Sequence, residues 1–522
     1  MENGKPEKVS DDGTINLAID THRKGKQALV FASTKRSAEK SAEDIAAKLK
    51  LSTPALDKLS ENILKAVPSP TKQCRRLSAC VKKGAAFHHA GLVSKQREMI
   101  EDAFRDGTIT IICSTPTLAA GLDMPAFRAI LKDLRRYTKR GYEYIPVLEY
   151  LQMAGRAGRP RYDEWGEAIA IASNEIEKTR IVDRFIHGEP EAIYSKLAVE
   201  PVLRTYLLSL IASGFLRTRK EIMDFFEKTF WAHQFQDMVT LEITIESMLG
   251  LLEKWEFLIS SGTRSDFVSA SEIEEESYRV TILGKRVAEL YLDPLTAHYL
   301  IKCLRKASAS YVLPFSFLQM VSHTLEMRPL LKVRAKEWDE IQDFLEKNHE
   351  LIMDDEPSLY EPDYEEFIHS VKTSLLFQDW IEEKQEDFLL EKYGIRPGEI
   401  RAKLDIAEWL LYSSTEFLKI MHFTTLIPEI NKLRFRLKHG AKEEILPLLR
   451  LKDIGRVRAR KLFSNRIKDA GDIRNADVSS LAQILGKRVA IHIKEQVGEK
   501  VDPEKVQVKE GKRKGQISLN DF

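Results

Sequence analysis

Ile109-Thr110-Ile111-Ile112-Cys113-Ser114-Thr115-Pro116-Thr117-Leu118-Ala119-Ala120-Gly121-Leu122-Asp123-Met124-Pro125 carries an apolar, β-branched run straight into a hydroxyl-rich turn. A short run of this kind fits a strand buried on both faces. Thr115 suits a helix cap and Pro116 a first helical position. A helix is therefore expected to begin there, with free N–H groups at Thr117 and Leu118. A helix N-terminus at a strand end is a phosphate site, here for a nucleic-acid backbone. Ala28-Leu29-Val30-Phe31 and Ala168-Ile169-Ala170-Ile171 are two further runs of the same type. Helical patterns separate them, the clearest over residues 37–49. Strands alternating with helices predict an α/β fold on a parallel sheet, ending near residue 185.

Downstream the pattern becomes mainly α. Residues 194–290 read as three helices followed by a β ribbon, with strands at 258–260 and 278–281, the outline of a winged helix. Residues 291–440 show apolar faces of helical period, with breaks expected at Pro314, Pro329, Pro357, Pro362 and Pro397. A small helical unit occupies 445–500. The Lys/Glu-rich end from Val501 is expected to be disordered. The domain boundaries assigned are 1–185, 186–290, 291–443 and 444–500, with a tail at 501–522.

Composition restricts the function classes. Lys and Arg number 81 against 79 Asp and Glu, so the net charge is +2 and any nucleic-acid surface must be a local strip. No apolar run reaches the roughly 18 residues of a membrane span, and the polar start MENGKPEKVSDDG has no signal-like core. Cys74, Cys80, Cys113 and Cys303 form neither a disulfide framework nor a CxxC zinc pair. A cytoplasmic protein without metal ligands of its own and without a membrane partner is expected.

The chemistry centres on Gln152-Met153-Ala154-Gly155-Arg156-Ala157-Gly158-Arg159-Pro160. Arg156 and Arg159 are three apart and would share one face of a helix. Small residues around them admit a close partner. Two guanidiniums aimed at one place suit a polyphosphate, where arginine neutralises charge developing on the γ-phosphate. Asp123, after Gly121, suits an arginine or a ribose hydroxyl. Ser33 and Thr34 follow a strand and suit phosphates. Of the adjacent His88 and His89, the first reads as structural and the second as a backbone contact.

These strings, in this order and spacing, resemble motifs IV, IVa, V and VI of superfamily 2 helicases. More specifically the chain resembles the archaeal DNA helicases of the Hjm (Holliday junction migration) family, related to the helicase domain of DNA polymerase theta. Supporting stretches are Phe377-Gln378-Asp379-Trp380-Ile381-Glu382-Glu383-Lys384 and Gly455-Arg456-Val457-Arg458-Ala459-Arg460-Lys461-Leu462. The resemblance implies a RecA-like domain, a winged helix, a helical ratchet domain and a helix-hairpin-helix domain. It implies an ATP-dependent enzyme that moves 3′ to 5′ on single-stranded DNA and opens forks during repair. Arg156 and Arg159 would be arginine fingers, with Gln152 at the ATP cleft and Gly121 and Asp123 beside the nucleotide. Ser33, Thr34, His89, Thr115 and Thr117 would contact DNA.

The family's strand-separating hairpin would span 128–137 and 142–147, with Tyr137, Tyr142 and Tyr144 available to stack. The ratchet helix would cover 399–413 with Trp409 on a base. Ala402 stands where the family has an arginine, leaving Arg401 as neighbour. Gly455 would permit the tight turn of the helix-hairpin-helix, with Arg456, Arg458 and Arg460 on phosphates. Gln516, Leu519 and Phe522 resemble a sliding-clamp-binding box.

No G-x-x-x-x-G-K-[ST] phosphate loop occurs in the 522 residues. The chain is therefore expected to supply half of an ATP site, with the Mg²⁺ ligands on a first RecA-type domain that is lost, separately encoded or cut off by an incomplete gene assignment. Alternative readings are a non-catalytic DNA-binding remnant, a subunit of a split helicase, and an RNA helicase relative.

Overall fold

The computed structural model describes residues 6–49, 51–67, 69–119, 124–138, 141–159, 163–197, 199–261, 277–309, 312–502 and 506. The chain divides into two compact units. The first comprises Met1–Tyr194 with Glu386–Ala402, and the second Ser195–Gln385 with Lys403–Phe522.

The first unit is built on a five-stranded parallel sheet. Its strands are β1 (Ala28–Phe31), β2 (Ala85–His88), β3 (Ile111–Ser114), β4 (Arg128–Leu131) and β7 (Glu167–Ala170), in the order β2-β3-β1-β4-β7. Every residue of β1 to β4 is buried, as the uninterrupted apolar runs require, whereas the edge strand β7 is only half-buried. The helix expected at 37–49 is Lys35–Lys48, started by Thr34, whose hydroxyl accepts the Ser37 N–H. Its stripe Ala38, Ala42, Ile45 packs into the core, and the acidic Glu39 lies buried beside it.

Two expectations for this unit change. Residues 128–131 are strand β4 of the sheet and not a hairpin arm. The hairpin is shorter, pairing β5 (Arg135–Thr138) with β6 (Gly141–Tyr144). Arg128 is recruited inward because its guanidinium joins elements across the sheet's amino edge. It donates to Leu17 O (2.9 Å), Asp20 (2.9 Å) and Thr21 (2.7 Å), and it pairs with Glu167.

In the second unit, helices Glu200–Ala212, Arg219–Phe226, Phe230–Phe235 and Met238–Lys254 precede a two-stranded antiparallel ribbon, β8 (Leu258–Ser260) with β9 (Tyr278–Val280). Pro314 begins a helix instead of breaking one, as does Pro397 in Pro397–Ile420, because proline's fixed φ suits the first turn. The Trp380 indole is buried and donates to Leu437 O at 2.7 Å. Residues 441–506 form a separate apolar cluster around Leu448, Leu462 and Ile493. Among the described residues no helix is long and apolar enough to cross a membrane.

Arg128 is 2% exposed, and Arg128→Ala would strand the carboxylates it now holds. A loss of about 3 kcal/mol is expected for the first unit. Hydrogen–deuterium exchange should show faster labelling of β1, β4 and β7, with the second unit unchanged.

Candidate nucleotide and nucleic-acid site

Parallel strands deliver their carboxyl ends to one edge, and the strings that follow β1, β2 and β3 collect there, whereas Arg159 lies at the opposite edge, beside Gln27 before β1. β1 runs into Ser33-Thr34, β2 into His89, β3 into Thr115, and β4 into Lys132-Asp133. They open on a cleft of about 880 Å³, lined by Ser33, Thr34, Lys35, Arg36, Thr115, Thr117, Arg136, Gln152 and Arg396 among others.

The hydroxyls brought together here already have internal work. Asp133 Oδ2 accepts from Ser33 N (3.1 Å), Ser33 Oγ (3.2 Å) and Ser37 Oγ (3.1 Å). Thr34 is a helix cap. Thr115 and Thr117 bond each other at 2.9 Å. Residues Pro116–Leu118 form one 3₁₀ turn, in which the Leu118 N–H donates to Thr115 O at 3.1 Å. The free N–H expected at Leu118 is therefore not free.

The His89 side chain, expected to contact a backbone, faces the interior. It is fully buried, its Nδ1 accepts the Gly91 N–H, and its Nε2 is left to donate to Glu39 at 3.1 Å. His88 is buried too, against Glu101. Glu39 also accepts from Gln73 (3.1 Å), Arg76 (2.8 Å) and Arg396 Nε (3.0 Å). Burial raises the pKa of this carboxyl, but the His89 hydrogen bond and the Arg396 charge outweigh it and bring the value down to about 2. Sequence reasoning missed Glu39, Asp133 and Arg396. An acid beside the apolar stripe of an Ala-rich helix was the signal for Glu39, since a buried charge demands partners.

Gln152 lies on helix Val147–Ala154 and is exposed, but that helix stops before the arginines. Arg156 and Arg159 consequently do not share a helical face. Gly155 and Gly158 disfavour helix here, and Gly158 takes φ +95. The Arg156 side chain donates to Ala119 O at 2.5 Å. Arg159 donates to Asp163 (2.6 Å) and Gln27 (2.7 Å), and Lys26 joins the same carboxylate at 2.5 Å. The Arg159 hydrogen bond holds the Asp163 carboxyl below its usual range. Gly121 and Asp123 lie outside the described residues, as do Gln516, Leu519 and Phe522. Among the described residues no group of three or more His, Cys, Asp or Glu that could hold a metal ion comes together.

The hairpin presents Tyr137 and Tyr142 opposite each other, 84% and 64% exposed. Tyr144 is an anchor at its base and not available to stack: Arg135 lies 4.1 Å over its ring, and Phe185 meets it edge-on. In the second unit the Trp409 indole is half-buried and donates to Leu290 O at 3.2 Å. Arg401, in the first unit, pairs with Glu386 at 3.4 Å.

The turn before helix Arg456–Ser464 is not made by glycine. Gly455 has φ −91, and the left-handed residue is Asp453 at φ +65. Arg456 stacks over Trp380 at 4.5 Å, and Arg460 pairs with Glu383 (2.6 Å) and Glu444 (2.6 Å). Both arginines have protein partners here. Gly455 and Arg458 are exposed there, although Arg458 donates to Asp453 O at 2.7 Å.

Three family models match the chain: helicase conserved C-terminal domain at 12–161, helix-turn-helix domain at 166–259, and archaeal helicase domain 4 at 315–440. The chain is 36% identical over 520 residues to the ATP-dependent DNA helicase Hel308 of Methanococcus vannielii, covering 92% of this chain and 67% of that protein. It is 37% identical over 510 residues to Hel308 of Pyrococcus abyssi, covering 96% and 67%. For Hel308 of Pyrococcus horikoshii the identity is 36%, covering 96% and 68%. The chain thus spans about two-thirds of these relatives' length, and it belongs to the Hel308 family of archaeal DNA helicases.

The Glu39 network sets an acid limit. Its folded value of about 2 lies below the ordinary 4.5, so its stabilisation is complete above pH 4.5 and is lost as pH falls from there toward 2. The term is on the order of 3 kcal/mol. Glu39→Gln should lower stability at neutral pH and flatten its fall across that window, as read by urea melts at stepped pH.

Proposed function

We propose that this chain, as a member of the Hel308 family, is the DNA-engaging and arginine-bearing portion of an ATP-dependent 3′–5′ DNA helicase acting on single-stranded and forked DNA in repair. The observation that carries the reading is identity of 36% over 92% of the chain to an ATP-dependent DNA helicase. The geometry supports the DNA-binding part of it, because Ser33-Thr34, Thr115-Thr117 and Gln152 meet around a cleft that Arg36 and Arg396 also line, whereas Arg159 lies at the sheet's amino edge on Gln27.

In this reading the strand's phosphates enter the cleft and meet Arg36, while Asp133 keeps the Ser33 turn in shape. Tyr137 and Tyr142 would stack on an end base pair. The helices and ribbon over 200–280 would act as a winged helix, and residues 448–496 as a helix-hairpin-helix with Arg458 as its exposed cation. Trp409 would stack on a base. A clamp-binding role for Gln516, Leu519 and Phe522 rests on the sequence alone.

ATP with Mg²⁺ would supply the driving hydrolysis. Arg156 and Arg159 have the charge and fork geometry to neutralise a transferring phosphoryl group. Gln152 at the cleft would orient that end. For Arg159 to reach a phosphate it must exchange its Asp163 and Gln27 partners. The described residues offer no metal-holding cluster and the chain has no phosphate-loop string, so donors for the triphosphate and its metal would come from elsewhere, such as a separately encoded RecA-type domain. The same observation favours a second reading, a DNA-binding subunit without hydrolysis of its own.

Purified chain should bind oligothymidylate and hydrolyse little ATP. A RecA-type domain carrying the phosphate loop, added in trans, should restore DNA-stimulated hydrolysis. Arg159→Ala should then cut kcat by at least about 10³-fold while DNA affinity holds. Failure of the wild-type chain to bind single-stranded DNA would sink the primary reading.

A further inference from the structure

The first unit contains a segment that its sequence position does not suggest. Residues 386–402 follow the sheet strands by more than two hundred positions, yet they are fastened to the carboxyl edge. The Gly398 N–H donates to Gly91 O at 3.0 Å. The approach is so close that a Cβ on Gly398 would lie 2.4 Å from both Ala90 O and Leu92 O. Lys35 pairs with Glu399, and Glu399 also accepts the Arg396 N–H at 3.0 Å.

Arg396 is the member of this segment that lines the cleft. Its side chain is 21% exposed, and its Nε donates to Glu39 at 3.0 Å. Its stem lies against Gly91, where a Cβ would meet Cδ at 2.4 Å. Among the described residues its two terminal nitrogens donate no hydrogen bond, and neither is a buried unsatisfied atom. A guanidinium held at one edge by a buried carboxylate, with its other donors toward a cleft, is preorganised for an anion. Lys35, by contrast, is occupied by Glu399, and Arg136 by Glu149.

We propose that Arg396 is a phosphate ligand for the DNA strand in the cleft, and that Glu39, itself held by His89, is its positioning residue. The proposal rests on the DNA-binding reading above. The ligand is a phosphodiester, so the contact should be indifferent to base.

The test uses the full chain and fluorescein-labelled oligothymidylate, with affinity read by anisotropy across a salt series. Arg396→Ala should weaken binding about tenfold and reduce the salt slope by about 0.7, one single-strand phosphate contact. Arg396→Lys should keep the slope and recover only part of the affinity. Glu39→Gln removes a negative charge beside the cleft, so unpositioned electrostatics predicts tighter binding. A positioning role predicts loss of affinity, with partial rescue by Glu39→Asp. Oligodeoxyadenylate should give the same changes. Thermal melts of each variant accompany the titrations. If Arg396→Ala lowers the melting temperature but leaves the salt slope intact, the residue is a tether and the proposal is wrong. If wild type binds and Arg36→Ala reduces the slope while Arg396→Ala does not, the cleft reading stands and the Arg396 assignment falls. If wild type does not bind at all, the underlying reading has failed instead.

Discussion

The carboxylate of Glu39 organises the first unit's working edge. A buried negative charge is tolerated only when paired and hydrogen-bonded. Four donors meet that demand: Gln73 and Arg76 from one helix, His89 from the turn after β2, and Arg396 from the 386–402 segment. No one of them can be withdrawn cheaply, because the charge would remain behind. The acid therefore dictates where β2's turn lies and why a remote stretch of chain belongs to this unit.

That constraint sorts the cleft's polar groups into two kinds. The hydroxyls of Ser33, Thr34, Thr115 and Thr117 bond internally and give the loops their shape. Longer cationic side chains reach beyond them. A phosphate can still accept a second bond from a hydroxyl, but charge-assisted contacts are roughly twice as strong as neutral ones. Recognition of a nucleic-acid backbone in such a cleft would fall to guanidinium groups on hydroxyl-stiffened turns. Arg159 obeys a related logic. Asp163 holds it in a defined place, and only a group of higher negative charge competes well for its fork.

Three of the five strands were legible. Residues 28–31 and 109–113 stood out because residues buried on both faces leave no polar interruption, and 168–171 through its Ala/Ile run at a half-buried edge. Residues 85–88 and 128–131, which carry His88 and Arg128 into the sheet, did not stand out. What misled was spacing without context. Arg156 and Arg159 have helical spacing, but Gly155 and Gly158 each cost a helix about 1 kcal/mol, and the chain turns instead. Gly455 looked like the residue that must make a tight turn, while Asp453, a residue type that tolerates the left-handed region, does so. His89 looked like a surface donor because its neighbour His88 took the structural reading. Both are buried, one finding Glu101 and the other Glu39, and neither acid could be matched to its histidine from local sequence.

Cation counting illustrates the general reason. Arg128, Arg456 and Arg460 fall in stretches that look like binding surfaces, yet each has partners within the fold, as does the buried Arg204. Arg204 pairs with Asp293 at 2.7 Å, 89 positions away, and Arg460 with Glu383, 77 positions away. Local sequence shows the base and hides its acid. A near-neutral chain with 81 basic residues can therefore present few cations to a ligand. Those that remain include the exposed Arg36, which makes no ion pair among the described residues, and Arg396, whose carboxylate engages only one edge. The second arrangement is the more selective, because a guanidinium already fixed at Nε loses little conformational entropy when a phosphate arrives.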